Sequence, residues 1–360
     1  MKLLNKTILL ISPEPWSHIF VSKHHYATIL SAKGNKVYFL NPPTNDTSCK
    51  QTDFENVFTV NYKGFIKGLR FLPPLLQRIF IRQKLKELQK LCKVNFNIIW
   101  SFDNSVFFDF SALPKEVYCI SHIVDLNQDF EFEKAGRTAN LCIGLIPAIV
   151  EKFSGINKNV IQITHGVNLF DDNVEPIVLP GQNKGKAVYA GNLNMKHIDW
   201  KLLHKVTIQF SRQLDFIFVG DNHDKIDNKY KKKVSDQNNT FFIPKVNYKE
   251  LYRYLSSADI LFLAYLPSYD TDCALPHKLF EYLQTGRIVI SNWINSYYEI
   301  IAQVDILCSS GDEEYILNFN RAIKTIDIEG KNPVKVKNIE FAISNSYDNQ
   351  ISKIENYINF

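Results

Sequence analysis

The run Pro276-His277-Lys278-Leu279-Phe280-Glu281-Tyr282-Leu283-Gln284-Thr285-Gly286-Arg287-Ile288-Val289-Ile290-Ser291 concentrates the groups best suited to chemistry. It reads as a helix stopped at Gly286, with an Ile/Val strand directly after it. Leu279, Tyr282 and Leu283 fall at helical spacing and can face a core. Lys278 and Glu281 lie one turn apart, so both side chains can reach one site. A cation and a carboxylate held together at a helix start suit a ligand that carries both phosphate and sugar hydroxyls. The plainer reading is an amphipathic helix with a surface Lys/Glu pair.

Other segments end strands at which a ligand could sit. In Tyr189-Ala190-Gly191-Asn192-Leu193-Asn194-Met195-Lys196, Gly191 permits close backbone approach and Lys196 has the reach for a phosphate. Val219-Gly220-Asp221 and Ile243-Pro244-Lys245-Val246 end two more strands, and the backbone of Lys245 and Val246 can read a nucleobase edge. Tyr265-Leu266-Pro267-Ser268 leads into the helix above. Taken singly, each is an ordinary strand-to-loop junction. In a doubly wound sheet, ligands bind where strands end and helix N-termini point.

Short apolar strands alternating with helical patterns position these groups, which is the signature of an α/β protein with parallel sheets. The first half predicts strands at 7–12, 36–41, 58–62, 97–102, 117–124, 141–144 and 160–164, and helices at 21–33, 75–92, 131–137 and 147–153. The second half predicts strands at 187–190, 215–219, 240–243, 259–264, 288–291 and 305–308, and helices at 200–210, 248–257, 313–326 and the motif itself. Between the halves, FDDNVEPIVLPGQNKGK at 170–186 shows no period and contains two prolines and two glycines, so it reads as a linker. The expected domains are 1–169 and 187–340, followed by a helical tail at 341–360 that Ser344, Asn345 and Tyr347 interrupt. A length of 360 residues suits two such domains.

Composition narrows the class further. A net charge of +5 is too mild to imply a nucleic-acid partner. Cys49, Cys92, Cys119, Cys142, Cys273 and Cys308 form no Cys-x-x-Cys pair and no ligand spacing with histidine. They read as reduced thiols of a cytoplasmic protein. MKLLNKTILLISPEP has a short apolar stretch and no small-residue cleavage site, so it is expected to be a first strand and not a signal peptide. No window approaches eighteen apolar residues.

The motif from Pro276 resembles the donor-site motif of the GT-B glycosyltransferases, in the form Pro-x-Lys-x-x-Glu-Tyr-x-x-x-Gly-x-x-Val. The resemblance covers nearly the whole chain, well from 187 to 291 and weakly before it. It implies two Rossmann-like domains facing each other across a cleft, with the last helix crossing back to the first domain. Asn345-Ser346-Tyr347-Asp348 resembles the Asn-Ser-Trp-Asp often found at that crossing. It also implies a UDP- or GDP-linked sugar as co-substrate and no metal cofactor. Lys278 and Lys196 would stabilise the leaving diphosphate, and Glu281 would hold the ribose hydroxyls. One departure stands out. The retaining members with two glutamates place the first eight residues before the second, where this chain has Cys273, with Asp272 beside it. Either Asp270 or Asp272 would take over contact with the donor sugar, or the sugar is held differently. This departure resembles bacterial envelope transferases of the teichuronic-acid and xanthan glucuronosyltransferase type, and leaves retention or inversion open.

The first half is expected to hold the acceptor. Trp16 and the Ser22-Lys23-His24-His25 run resemble the first-helix segment of those envelope transferases. Trp16 can stack on a sugar ring, and His18 can act as a base near neutral pH. The favoured reading of His24 and His25 is helix packing or solvent exposure. Asp125 ends a strand, a common place for a catalytic base, and Asp103 is its rival. His165-Gly166-Val167-Asn168 resembles the family's Asn-Gly-Val-Asp segment and would line the cleft. From Lys63 to Lys93, nine Lys or Arg stand against one acid, Glu87, with apolar residues interleaved. That mixture fits either an anionic membrane surface or a solvated basic helix.

Together these readings predict transfer of a sugar to a hydroxyl of a glycan or lipid-linked glycan acceptor. The enzyme would be cytoplasmic or peripheral on the inner face of the plasma membrane. The alternatives are a nucleotide-sugar epimerase on the same fold and a non-catalytic nucleotide-sugar or glycan-binding partner. A dehydrogenase is excluded by the lack of a Gly-x-Gly-x-x-Gly after any strand.

Overall fold

Ile, Val and Phe runs bounded by Gly, Pro and Asn make the strands, and the longer periodic segments between them make the helices. The computed structural model describes residues 2–18, 20–125, 131–170, 175–222, 228–266, 276–329 and 334–358. The chain divides into two units, Met1–Gly166 with Tyr347–Phe360, and Val167–Ser346. Residues 175–184 contain no strand or helix and belong to the second unit, where Ile177 N–H donates to Ser257 Oγ at 2.9 Å.

The first unit runs β1 (Thr7–Ile11), α1 (Ser22–Ala32), β2 (Lys36–Leu40), β3 (Ser48–Gln51), β4 (Val57–Asn61), α2 (Pro74–Cys92), β5 (Ile98–Ser101), β6 (Tyr118–Ile123), α3 (Phe132–Thr138), β7 (Leu141–Gly144), α4 (Pro147–Ser154) and β8 (Val160–Gln162). Its sheet has the order β3-β4-β2-β1-β5-β6-β7-β8. All neighbours are parallel except β3 and β4. The polar sequence of β3 carries no strand pattern. It is held by antiparallel pairing, from Ser48 opposite Asn61 to Gln51 opposite Phe58.

His122 lies inside this unit, 1% exposed, with the Phe102 ring tilted against it at 4.4 Å between centres. Trp100 Nε1–H donates to His122 Nδ1 at 3.3 Å, so the ring carries its proton on Nε2. Burial holds the imidazole pKa down to about 3, and the Lys23 charge adds to the effect. In the unfolded chain the ring titrates near 6.5. Below that pH the unfolded state takes up a proton that the folded state refuses, so stability is lost as pH falls from 6.5 toward 3. Urea unfolding at pH 5 is therefore expected to show about 2 kcal/mol less stability from this group than at pH 7.5. The difference should shrink in His122→Gln; an equal loss in that variant would reject the assignment.

The second unit runs β9 (Gly185–Ala190), α5 (Trp200–Gln209), β10 (Leu214–Val219), α6 (Lys229–Ser235), β11 (Thr240–Ile243), α7 (Tyr248–Ser256), β12 (Ile260–Leu263), α8 (His277–Leu283), β13 (Ile288–Asn292), β14 (Leu307–Ser309), α9 (Asp312–Glu329) and α10 (Val336–Ser344). Its parallel sheet has the order β11-β10-β9-β12-β13-β14. Counted within the unit this is three-two-one-four-five-six, the doubly wound dinucleotide-binding order, and it reverses between β9 and β12. The lysine-rich α6 has no apolar period in sequence. Asn228 caps it, accepting from Tyr230 and Lys231 N–H, and Lys231 lies 5.7 Å from the centre of the Trp200 ring.

After α10 the chain returns to the first unit as α11 (Tyr347–Tyr357). Side-chain contacts dock it there. Tyr26 Oη donates to Gln350 Oε1 at 2.9 Å, Gln350 Nε2 donates to Thr164 O at 2.8 Å, and the Tyr347 ring stacks on His25 at 4.9 Å. No helix among the described residues is long and apolar enough to cross a membrane.

Candidate functional site

The topological switch point of the second unit lies at the carboxyl ends of β9 and β12, and α8 brings its first turn to it. Two glycines make the approach possible. Gly191, just past β9, has φ +140°, and Gly220, just past β10, has φ +151°, values that L side chains rarely adopt. A Cβ on Gly220 would stand 1.8 Å from the Gly191 carbonyl oxygen, and one on Gly191 would stand 2.2 Å from Lys278 Nζ. The Lys278 amine therefore lies directly against the backbone that ends β9.

Lys278 is held there by Tyr189. Its Nζ donates to Tyr189 Oη at 2.6 Å and stands 4.4 Å from the centre of the Tyr189 ring. Burial pushes the Tyr189 phenol far above its ordinary value, and a hydrogen bond with Tyr265 pulls it part of the way back, so it stays a neutral acceptor. On the next turn Tyr282 Oη accepts from Ala190 N–H at 2.8 Å, which pins α8 to the end of β9. Glu281 is half-buried, with Oε1 3.5 Å from His277 Nδ1. Leu279, Tyr282 and Leu283 are buried, as their spacing implied.

The remaining donor-side candidates spread outward from this centre. Lys196 is exposed on the turn after β9. Lys245 is exposed and Val246 half-buried after β11. That edge strand lies two positions from β9, or about 10 Å at ordinary strand spacing. Asp270, Asp272 and Cys273 lie outside the described residues. Tyr189 and Tyr282 were absent from the sequence-derived site. The signal for Tyr189 was its place one residue before the Ala-Gly pair that ends a strand.

In the first unit, the ends of β1, β5 and β6 gather a second polar cluster. Lys23, in the first turn of α1, is 4% exposed and pairs with Glu14 Oε2 at 2.6 Å. Asp125 follows β6 and is half-buried. Burial raises its carboxyl above the ordinary value, Lys23 pulls it down, and Glu14 pushes it up. Asn104, 2% exposed, accepts from Ser121 Oγ at 3.1 Å, and its Nδ2 has no protein partner among the described residues. Lys23, Glu14 and Asn104 were not singled out from sequence. A lysine at a helix start, where the backbone dipole disfavours a cation, was the available signal.

The other first-unit candidates have defined places. Trp16 is half-buried, with ring centres of Phe39 at 5.0 Å, Phe20 at 5.1 Å and Phe54 at 5.9 Å. His18 is exposed after β1. His165 is buried, with Nδ1 3.4 Å from Ser22 Oγ. His24 and His25 are both buried, and His24 Nε2–H donates to Pro15 O at 3.2 Å. Asp103 Oδ1 accepts from Ser105 N–H at 2.8 Å, which commits it to its own turn.

The chain is similar in structure to a sucrose-phosphate synthase from Thermosynechococcus elongatus, at 14% identity, with 98% of each chain covered and a TM-score of 0.67. It is similar to a glycosyltransferase from Rickettsia africae ESF-5, at 14% identity, 98% of each chain and a TM-score of 0.70. It is also similar to a trehalose-6-phosphate structure from E. coli bound with UDP-2-fluoro glucose, at 10% identity, covering 98% of this chain and 99% of that one, with a TM-score of 0.66. The fold is GT-B. No family model matches the sequence, and no curated protein matches it. Within the GT-B frame, the switch point of the second unit and its Lys278–Tyr189 contact occupy a doubly wound sheet at the place where such sheets bind ligands.

Proposed function

We propose that this protein is a glycosyltransferase that moves a sugar from a UDP- or GDP-linked donor to a hydroxyl of an acceptor glycan. The observation that carries the reading is Lys278, set on Tyr189 against the Gly191 backbone at the switch point, with Glu281 one turn on. The likeness over 98% of the chain to a glycosyltransferase and to a structure bound with UDP-2-fluoro glucose supports it.

In this reading the acceptor oxygen attacks the anomeric carbon, and the bond from that carbon to the diphosphate oxygen breaks. The diphosphate leaves with the electron pair, and Lys278 and Lys196 neutralise its charge. Glu281 accepts hydrogen bonds from the ribose hydroxyls, and the backbone at Lys245 and Val246 meets the base. Asp125 takes the acceptor proton, with His18 as the alternative base. Burial holds Asp125 above the ordinary carboxylate value, which makes it a better base than a solvated aspartate. Asn104 Nδ2, Trp16 and His165 are assigned to the acceptor. The acceptor is a lipid-linked oligosaccharide of the bacterial envelope, as in the teichuronic-acid and xanthan glucuronosyltransferase types. The enzyme acts in the cytoplasm, at the inner face of the plasma membrane.

Thermal shift and calorimetry with UDP, GDP and their sugars test the donor assignment. Binding of neither nucleotide would reject it. Incubation of the donor that binds, with and without a glycan acceptor, then separates transfer from epimerisation, because a transferase releases free nucleoside diphosphate as the acceptor takes the sugar and an epimerase returns a nucleotide sugar without one. Transfer is expected to persist in EDTA, since lysines neutralise the leaving group. Full loss in EDTA, restored by manganese, would overturn that point and direct attention to Asp270 and Asp272.

A further inference from the structure

Helix α2 has two faces. Gln77, Ile81, Leu85, Leu88 and Cys92 recur every three or four residues and are buried against the unit. On the opposite side lie Leu75, Leu76, Ile79, Gln83, Lys86 and Lys90, all exposed. This outer stripe is apolar in its N-terminal half and basic in its C-terminal half. The segment before the helix extends the apolar half. Phe71 is 76% exposed, Leu75 71% and Ile66 48%. Single exposed apolar residues are normal, but a run of this kind in one place marks a contact surface.

Charge around the patch identifies the partner. Lys63, Lys67 and Arg70 are exposed beside it, and the Arg70 guanidinium lies 4.6 Å from the centre of the Phe71 ring. The one acid between Lys63 and Lys93, Glu87, is already paired with Lys84 at 2.6 Å. A convex helix with an apolar tip and a basic flank matches a bilayer with anionic headgroups, where apolar side chains enter the headgroup level and cations stay above it.

We propose that residues 63–93 dock the first unit on an anionic membrane, with Ile66, Phe71, Leu75, Leu76 and Ile79 inserted and Lys63, Lys67, Arg70, Lys86 and Lys90 on the headgroups. The surface belongs to the first unit and the nucleotide site to the second, and its test needs neither donor nor acceptor. Failure here would leave the transferase reading intact, and failure of that reading would leave this surface intact.

The probe is co-sedimentation with vesicles of phosphatidylcholine, with or without about 30% phosphatidylglycerol, at low salt. The full chain is expected to bind the anionic vesicles at least about tenfold more strongly than the neutral ones. Changing Lys63, Lys67 and Arg70 to glutamate should reduce that binding by at least about 100-fold. Phe71→Ser with Leu75→Ser should weaken it by about tenfold and make the remainder fully reversible by salt. Circular dichroism and Tm of each variant check that the fold is kept. Wild-type protein that ignores anionic vesicles, binds both compositions equally, or is drawn off them by a polynucleotide would overturn the proposal. So would a Phe71/Leu75 variant with unchanged binding and salt response.

Discussion

Lys278→Ala is expected to weaken UDP or GDP binding by about 10- to 150-fold, with the fold intact. A lost charge-assisted hydrogen bond is worth about 1.5–3 kcal/mol, and each 1.4 kcal/mol is tenfold. The side chain is half-buried and its hydrogen bond among the described residues goes to Tyr189 Oη, so its removal opens no core cavity. Lys278→Met keeps an apolar stem against the Gly191 backbone and removes the charge. It should lose nearly as much affinity as alanine, which separates charge from packing. Glu281→Ala should weaken binding in the same range, through the ribose. Calorimetry settles the matter: unchanged affinity in both Lys278→Met and Glu281→Ala would sink the donor-site assignment.

Asp125→Asn is expected to lower the rate of transfer by about 10²- to 10⁴-fold, the usual contribution of a positioned base, without changing nucleotide affinity. The sign of the pH dependence follows from the raised carboxyl. A base must be ionised, so activity falls as pH drops through the Asp125 pKa, and this acid limb lies above the ordinary aspartate value. Lys23→Met removes the cation that pulls the carboxyl down, so it should move the limb to higher pH. NMR of the product adds an independent arm. A single displacement with Asp125 as base inverts the anomeric carbon; a retained configuration, or wild-type turnover in Asp125→Asn, would remove Asp125 from that role.

Much of the fold was legible because parallel strands buried on both faces must be continuous apolar runs, and their ends are marked by Gly, Pro and Asn. The strand Leu141–Gly144 appears with the bounds its sequence implies, and most others shift by one or two residues. The misses have a common cause. β3 and α6 are polar, and they exist because a neighbour supplies the partner, β4 for one and Asn228 with Trp200 for the other. Local pattern carries no trace of such partners. The donor-side candidates Lys278, Glu281 and Gly191 came from motif spacing on one helix and one strand end. Lys23 and Glu14 were not legible, because eight residues of intervening chain hide a 2.6 Å ion pair.

The sequence by itself determined the α/β class, the place of each long element and the one-turn spacing of Lys278 and Glu281, because these depend on periods of two and 3.6 residues and on where glycine and proline fall. Tertiary structure alone decided what those groups touch. The order β11-β10-β9-β12-β13-β14 puts the switch point beside β9, and only that order sets the Lys278 amine on Tyr189, 89 residues away in the chain. Spacing fixes which residues share a face of a helix. Which distant backbone the face meets depends on strand order, and strand order is settled by packing the whole sheet at once.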